Sequence, residues 1–289
     1  MVIRADKGPP VIVLDMSVGG LGIVRSLGRE GIPVVGVDFS EVYRPGLQSR
    51  YCTGFLSSHP EREPRPLLDF LVKLAEQLPG KAILYPGSEP YARFVSEFRR
   101  ELESHFLFAI PSKAIMDSVL DKRKQYDLAR SIGVLHPATY SLENEGELEE
   151  AKDKIEYPAL IKPCYSKGIW NDRYSGVKGF MVSNPVELAG VWKRLSAETI
   201  PVFVQSIVRG PDSNVFEVYV YVSKNGVPLA TFVTRKIRQY PVMFGNGTLM
   251  VSVHDDEVLR SGMKFFKGIG YCGLGSTKSR RMTETESAN

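Results

Sequence analysis

Phe216-Glu-Val-Tyr-Val-Tyr-Val222, followed by Lys224-Asn-Gly226 and then by Pro228 to Ile237 running into Arg238-Gln-Tyr-Pro241, is the stretch on which the reading of the fold turns. Phe216, Val218, Val220 and Val222 recur every second residue, the period of a half-buried strand. Asn225-Gly226 accepts the positive φ angles of a type I′ turn, so the spacing predicts an antiparallel hairpin. On the returning strand Lys236 and Arg238 fall on one face and Arg235 on the other. Two cations on one sheet face repel unless an anion lies between them. Either they stand in solvent, or a triphosphate or acyl phosphate sits between them. The loop Gly245-Asn-Gly247-Thr would let backbone amides approach such a ligand.

Upstream, Tyr157-Pro-Ala-Leu-Ile-Lys162-Pro163 reads as an apolar strand stopped by its proline. Lys162, at its end, either projects an ammonium toward phosphates or lies in water. Residues 166–179 form a loop rich in Gly, Ser, Lys and aromatics. Phe180-Met-Val and Pro201 to Gln205 read as strands, and Pro185 to Leu195 as a helix. Ser112 to Ile132 is mostly helical, with a break near Asp117-Ser118 and a stop at Gly133. Ser141 to Lys154 reads as an acidic helix with a solvated face. Residues 141 to about 253 are thus α+β with antiparallel strands.

The first 112 residues differ. Val11-Ile-Val-Leu14 and Pro33-Val-Val-Gly-Val-Asp38 are short apolar runs flanking a helical segment, Ile23 to Arg29, a βαβ unit of a parallel sheet. Asp15 to Gly22 reads as a loop. With Asp38 it resembles a dinucleotide fingerprint, but Arg25 stands where the third glycine belongs. The turn is either structural or a nicotinamide site.

Composition narrows the rest. The 289 residues are 43% hydrophobic and 24% charged, with a net charge of +4. This excludes disorder and fibrous structure for the chain as a whole, and the charge excess is too small to imply nucleic acid. No apolar run approaches the roughly 20 residues of a membrane span. The N-terminus lacks the apolar core of a secretory signal. Three scattered cysteines and four histidines give neither a disulfide framework nor a zinc motif, and the expected compartment is cytoplasmic.

In order, Asp121-Lys122, Gly133 to Pro137, Tyr157 to Pro163, the mobile-looking loop, Val204-Gln205-Ser-Ile-Val-Arg-Gly210 and the basic strand with Phe244-Gly-Asn-Gly-Thr248 resemble the ATP-grasp superfamily. Within it, they are most similar to carbamoyl-phosphate-synthase-like carboxylate–amine ligases. The resemblance covers Val11 to Gly275. It implies an α/β, Rossmann-like pre-ATP-grasp domain (1–112), a helical linker and lid subdomain (113–208), the start of a core subdomain (209–275) and a tail outside the family pattern (276–289). It implies Mg-ATP as cofactor and small-molecule carboxylate and amine (or thiol) substrates joined through an acyl phosphate. Lys122, Lys162, Ser166, Lys167, Gln205, Ser206 and Ile207 would bind the nucleotide, and Lys236 and Arg238 would face the transferred phosphate. The alternatives are an ATP-binding, non-catalytic product and an NAD(P)-binding oxidoreductase.

The sequence departs from that pattern after Gly273-Leu-Gly-Ser-Thr277. Where the family places a metal-binding carboxylate, Lys278 stands, and Glu284 and Glu286 lie outside the expected phrase. The expectation is a chain truncated at its C-terminus. One allowed back-translation of the tail, shifted by one base near codon 277, encodes a family-like acidic segment. A truncated sheet edge would favour poor solubility.

Overall fold

The computed structural model describes residues 8–165, 169–242 and 244–282. Ser166 and Lys167 lie outside the described residues. The chain divides into two units, Met1–Met116 and Asp117–Asn289.

Unit 1 contains β1 (Val11–Leu14), α1 (Val18–Arg29), β2 (Val34–Asp38), β3 (Cys52–Leu56), α2 (Pro64–Ala75), β4 (Ala82–Pro86), α3 (Glu89–Glu97), α4 (Arg99–Glu103) and β5 (Phe106–Leu107). All strand pairs are parallel, in the order β3-β2-β1-β4-β5. β1 and β2 are buried on every residue, as runs covered on both faces must be. The glycine stretch read as a loop is the first turn of α1. A Cβ on Gly20 would meet the Asp15 carbonyl oxygen at 2.0 Å, so this glycine lets the helix start against the strand end. Asp38 is fully buried, accepts from the Met16 and Phe39 amides at 2.7 Å each, and forms an ion pair with the Arg44 guanidinium at 2.7 Å. Its carboxylate ties down the loops around the sheet and is spent there. Its position at the end of β2 is thus accounted for by the fold, which is the structural alternative for this turn.

The helical stretch after Pro111 breaks at Asp121 rather than at Asp117-Ser118, giving α5 (Lys113–Leu120) and α6 (Lys122–Ser131). The reason is local: the Asp121 carboxylate caps α6 by accepting the Arg123 amide at 3.0 Å. Unit 2 continues with β6 (Thr139–Ser141), α7 (Glu145–Lys154), β7 (Ala159–Pro163), α8 (Ile169–Tyr174), β8 (Phe180–Val182), α9 (Pro185–Ala197), β9 (Val202–Ser206), β10 (Val215–Val222), β11 (Pro228–Tyr240), β12 (Asn246–Ser252), α10 (Asp256–Gly268) and β13 (Gly273–Arg280).

It holds two antiparallel sheets. The first, ordered β6-β9-β7-β8, buries Ile161, Val202 and Val204 with Leu188, Trp192 and Leu195 of α9. The second is ordered β12-β11-β10-β13. Phe216, Val218, Val220 and Val222 pack on Val258, Phe265 and Phe266 of α10, the face that the alternation predicts. The approach is close enough that a Cβ on Gly262 would meet Val218 at 2.9 Å. The hairpin turn differs from expectation. The Gly226 amide donates to Ser223 O and only Gly226 takes a positive φ (77°), which is a type I turn closed by a glycine bulge rather than type I′.

Two further differences matter for the site. β11 carries a bulge: Lys236 pairs with Met250 but Arg238 pairs with Leu249, so Ile237 is surplus. Because Met250 and Leu249 are neighbours, Lys236 and Arg238 lie on opposite faces, which corrects the shared-face reading. Lys236 is buried and Arg238 exposed. Ser276 to Arg280, aperiodic in sequence, complete β13 by pairing residue for residue with β10. Arg281, just past the strand, reaches Asp255 at the α10 N-terminus (2.9 Å) and fixes that register. Among the described residues, no helix is long and apolar enough to cross a membrane.

Candidate active site

The face of the second sheet turned away from α10 displays Glu217 and Tyr219 of β10, Thr234 and Lys236 of β11, and Ser276 and Lys278 of β13, which their register sets side by side. Lys236 is only 3% exposed. Its ammonium donates to two neutral acceptors, Gln239 Oε1 at 2.9 Å and Gly245 O at 3.3 Å. The ladder is irregular both before and after Arg238, and in this irregular stretch the Gln239 side chain reaches Lys236.

On the first sheet Lys162 donates to Gln205 Oε1 at 3.1 Å. Gln205 in turn donates to Thr139 Oγ1 at 3.1 Å, so a strand-to-strand relay holds the lysine. Lys178, between α8 and β8, donates to Gly245 O at 3.2 Å and to Asn246 Oδ1 at 2.8 Å, spanning the two sheets. Lys278 pairs with Glu217 at 2.5 Å.

These ammoniums crowd one another. Burial, then the charges of Lys122, Lys178 and Lys278, push Lys162 down to about 8. Burial and then Lys278 and Lys236 lower Lys178, and burial and then Lys278 lower Lys236. Burial alone would raise Glu217, but its bonds from Lys278 and Tyr219 outweigh this and hold it below the usual carboxylate range. Such a group of mutually depressed cations is stabilised by an anion.

Of the residues singled out in sequence, Lys162, Gln205 and Lys236 come together here, with Lys122 near enough to depress Lys162. Ser206 ends β9 with its hydroxyl buried and without a hydrogen-bond partner, and Ile207 follows it half-buried. Arg238 points from the other face of β11. Sequence reading missed Lys178 and the role of Lys278 and Glu217. The signal for Lys278 was its place, two residues beyond Ser276, in a strand of small residues.

The cluster does not fit a divalent cation. Among the described residues no group of three or more His, Cys, Asp and Glu could hold a metal. The carboxylates that reach Lys236 by charge are already engaged, Glu217 as above and Asp212 by Gln239 Nε2 and Arg280.

No family model and no curated protein matches the chain. Solved structures do. An L-amino acid ligase from Bacillus licheniformis superposes with a TM-score of 0.70 at 14% identity, over 96% of this chain and 64% of that one. N5-carboxyaminoimidazole synthetase from Staphylococcus aureus, complexed with ADP, gives 0.70 at 13%, over 96% and 68%. The biotin carboxylase domain of the Hydrogenobacter thermophilus 2-oxoglutarate carboxylase, complexed with MgADP and bicarbonate, gives 0.64 at 15%, over 93% and 60%. The chain has the fold of these structures, an α/β domain followed by two antiparallel sheets, and spans about two thirds of their length.

Proposed function

We propose that the lysine cluster of unit 2 receives the phosphates of ATP and that the protein is an ATP-dependent carboxylate–amine ligase. The observation that carries this reading is Lys236: a buried ammonium whose hydrogen-bond partners are both neutral, within the field of Lys278 and close enough to Lys178 to depress it. In this reading Lys162 and Lys122 hold phosphate oxygens, and Gln205, Ser206 and Ile207 border the adenine, with the unpartnered Ser206 hydroxyl available to it. Ser166 and Lys167 would close over the phosphates. Lys236 would steady the transferred phosphoryl group, and Arg238, on the strand's other face, takes no part in this reading. A carboxylate oxygen of a small substrate attacks the terminal phosphorus and ADP leaves. An amine then displaces phosphate from the acyl phosphate. The chain's work is positioning and charge neutralisation. Three free cysteines suit a reducing, cytoplasmic setting.

The test is isothermal calorimetry with ATP on the full chain and on Lys162→Met and Lys236→Met, followed by ADP release over panels of carboxylates and amines. Binding lost in both variants, with carboxylate- and amine-dependent ADP release by the parent, is expected. Unchanged binding in the variants would overturn the site. A second reading, ATP binding without turnover, is favoured by the engagement of Glu217 with Lys278. ATP binding with no ADP release in any mixture would select it.

A further inference from the structure

We infer that Lys278 makes this site take a polyphosphate free of divalent metal, in preference to its magnesium complex. The inference rests on the nucleotide reading above and adds to it the form of the ligand.

The argument is one of charge and position. Lys278 of β13 lies directly opposite Glu217 of β10, and their side chains meet at 2.5 Å. Glu217 also accepts the Tyr219 hydroxyl. A magnesium ion shared between phosphates and protein is held by one or two carboxylates and keeps near-octahedral oxygen ligands at close range. The carboxylate best placed to share one is bound to an ammonium instead. Asp212, the other carboxylate that acts on Lys236, accepts from Gln239 at 2.5 Å and lies 3.8 Å from Arg280. Freeing either one means breaking a pair in surroundings where an orphaned charge is costly.

The remaining groups point the same way. Lys162, Lys178 and Lys236 donate only to amide-type oxygens, Gln205, Gly245, Asn246 and Gln239 among the described residues. Among the described residues no carboxylate hydrogen-bonds these three ammoniums. Lys278 adds a fourth ammonium, and its field reaches the other three. A fully ionised triphosphate brings enough negative charge to satisfy this set. A magnesium complex brings less, and it also sets a dication against several ammoniums. An ammonium fixed on a strand thus supplies the positive charge that a metal would otherwise bring.

The experiment is calorimetric titration of the full chain with ATP and, separately, with inorganic tripolyphosphate, each in EDTA and in excess magnesium. The variants are Lys278→Gln and Lys278→Arg, with thermal melts to check folding. Expected are binding of both probes in EDTA, at least threefold weakening by magnesium, and about tenfold loss in EDTA for Lys278→Gln with rescue by Lys278→Arg. If magnesium tightens ATP binding in the parent, or if Lys278→Gln binds as the parent does in EDTA, the inference falls while the nucleotide reading stands. Tripolyphosphate bound in EDTA without ATP binding in either buffer overturns the nucleotide reading and leaves a metal-free anion site. No binding of either probe overturns both.

Discussion

Lys178 and Lys236 donate to the same oxygen, the carbonyl of Gly245, at 3.2 and 3.3 Å. Lys178 precedes a strand of the first sheet of unit 2 and Lys236 lies on the second, so one carbonyl joins the two sheets and holds two like charges close together. Such a pair is a poor device for stability and a good one for anion capture. Lys178→Met is therefore expected to leave unfolding free energy within about 0.5 kcal/mol of the parent. The same change should weaken ATP binding about tenfold, or about 1.4 kcal/mol. Denaturant melts and calorimetry on one preparation separate the two effects. A variant that is destabilised but binds normally would mean that Lys178 is a brace between the sheets.

Protonation of Lys162 gives a pH prediction. Its folded-state value is about 8 against an ordinary 10.5, so between those two values the unfolded chain binds more protons than the folded one. Stability therefore rises with pH through that window. Phosphate binding favours the charged amine, so it takes up a proton above pH about 8, and affinity falls there. Melting temperature against pH for the parent and Lys162→Met checks the first part, and calorimetry in buffers of different ionisation enthalpy checks the second. Parallel stability curves for parent and variant would sink it.

Asp121 is 1% exposed, caps a helix and accepts the Tyr165 hydroxyl at 2.6 Å. Asp121→Ala should cost about 2 kcal/mol, a strong cap loss. Asp121→Asn keeps the capping oxygen and should recover part of this. Burial would raise this carboxyl, but its bonds from Tyr165 and Arg123 hold it low, so its contribution is present at neutral pH and fades as pH falls through that depressed value. Urea midpoints at pH 7 and pH 4 provide the measurement, and equal costs for the two variants would contradict the capping role.

Gly20 and Gly22 form a contrasting pair. A Cβ on Gly20 would strike a backbone oxygen, whereas one on Gly22 meets nothing within 4 Å. Gly20→Ala should cost about 3 kcal/mol, the upper end for overpacking, and Gly22→Ala should gain about 0.5–1 kcal/mol as a helix-interior glycine replaced by alanine. Equilibrium unfolding of both variants decides this. Neither should change ATP affinity. Loss of affinity in Gly22→Ala would return a ligand role to this glycine turn.

The sequence was most legible where local pattern and tertiary context agree. The apolar run ending at Lys162, the strand ending at Gln205 and the alternating face of Phe216 to Val222 are each what hydrophobic period requires, and each stands where it was expected. It was least legible where pairing with a neighbour decides the structure. Ser276 to Arg280 are small and polar, without a buried face of their own to announce a strand, and become one because β10 offers its free edge. Arg238 was placed on the face of Lys236 because counting assumes an unbroken ladder, and no local residue preference marks the bulge. The glycines of α1 look like a loop by propensity, yet only a residue without a side chain fits beside Asp15. Lys178 was hidden by chemistry rather than geometry: a loop lysine carries no mark of the carbonyl that it shares.

The surplus residue in β11 has a consequence for how the strand tolerates change. In a regular strand, length and display are locked together, and removing one residue inverts every side chain beyond it. Ile237 stands outside the ladder, between pairs that already place Lys236 and Arg238 on opposite sides. Excising it would leave both neighbours facing as they do now, with a straighter strand between them. At this one place a change in chain length is silent for which residues look into the lysine cluster, while the same excision a few residues earlier would exchange its interior for its exterior.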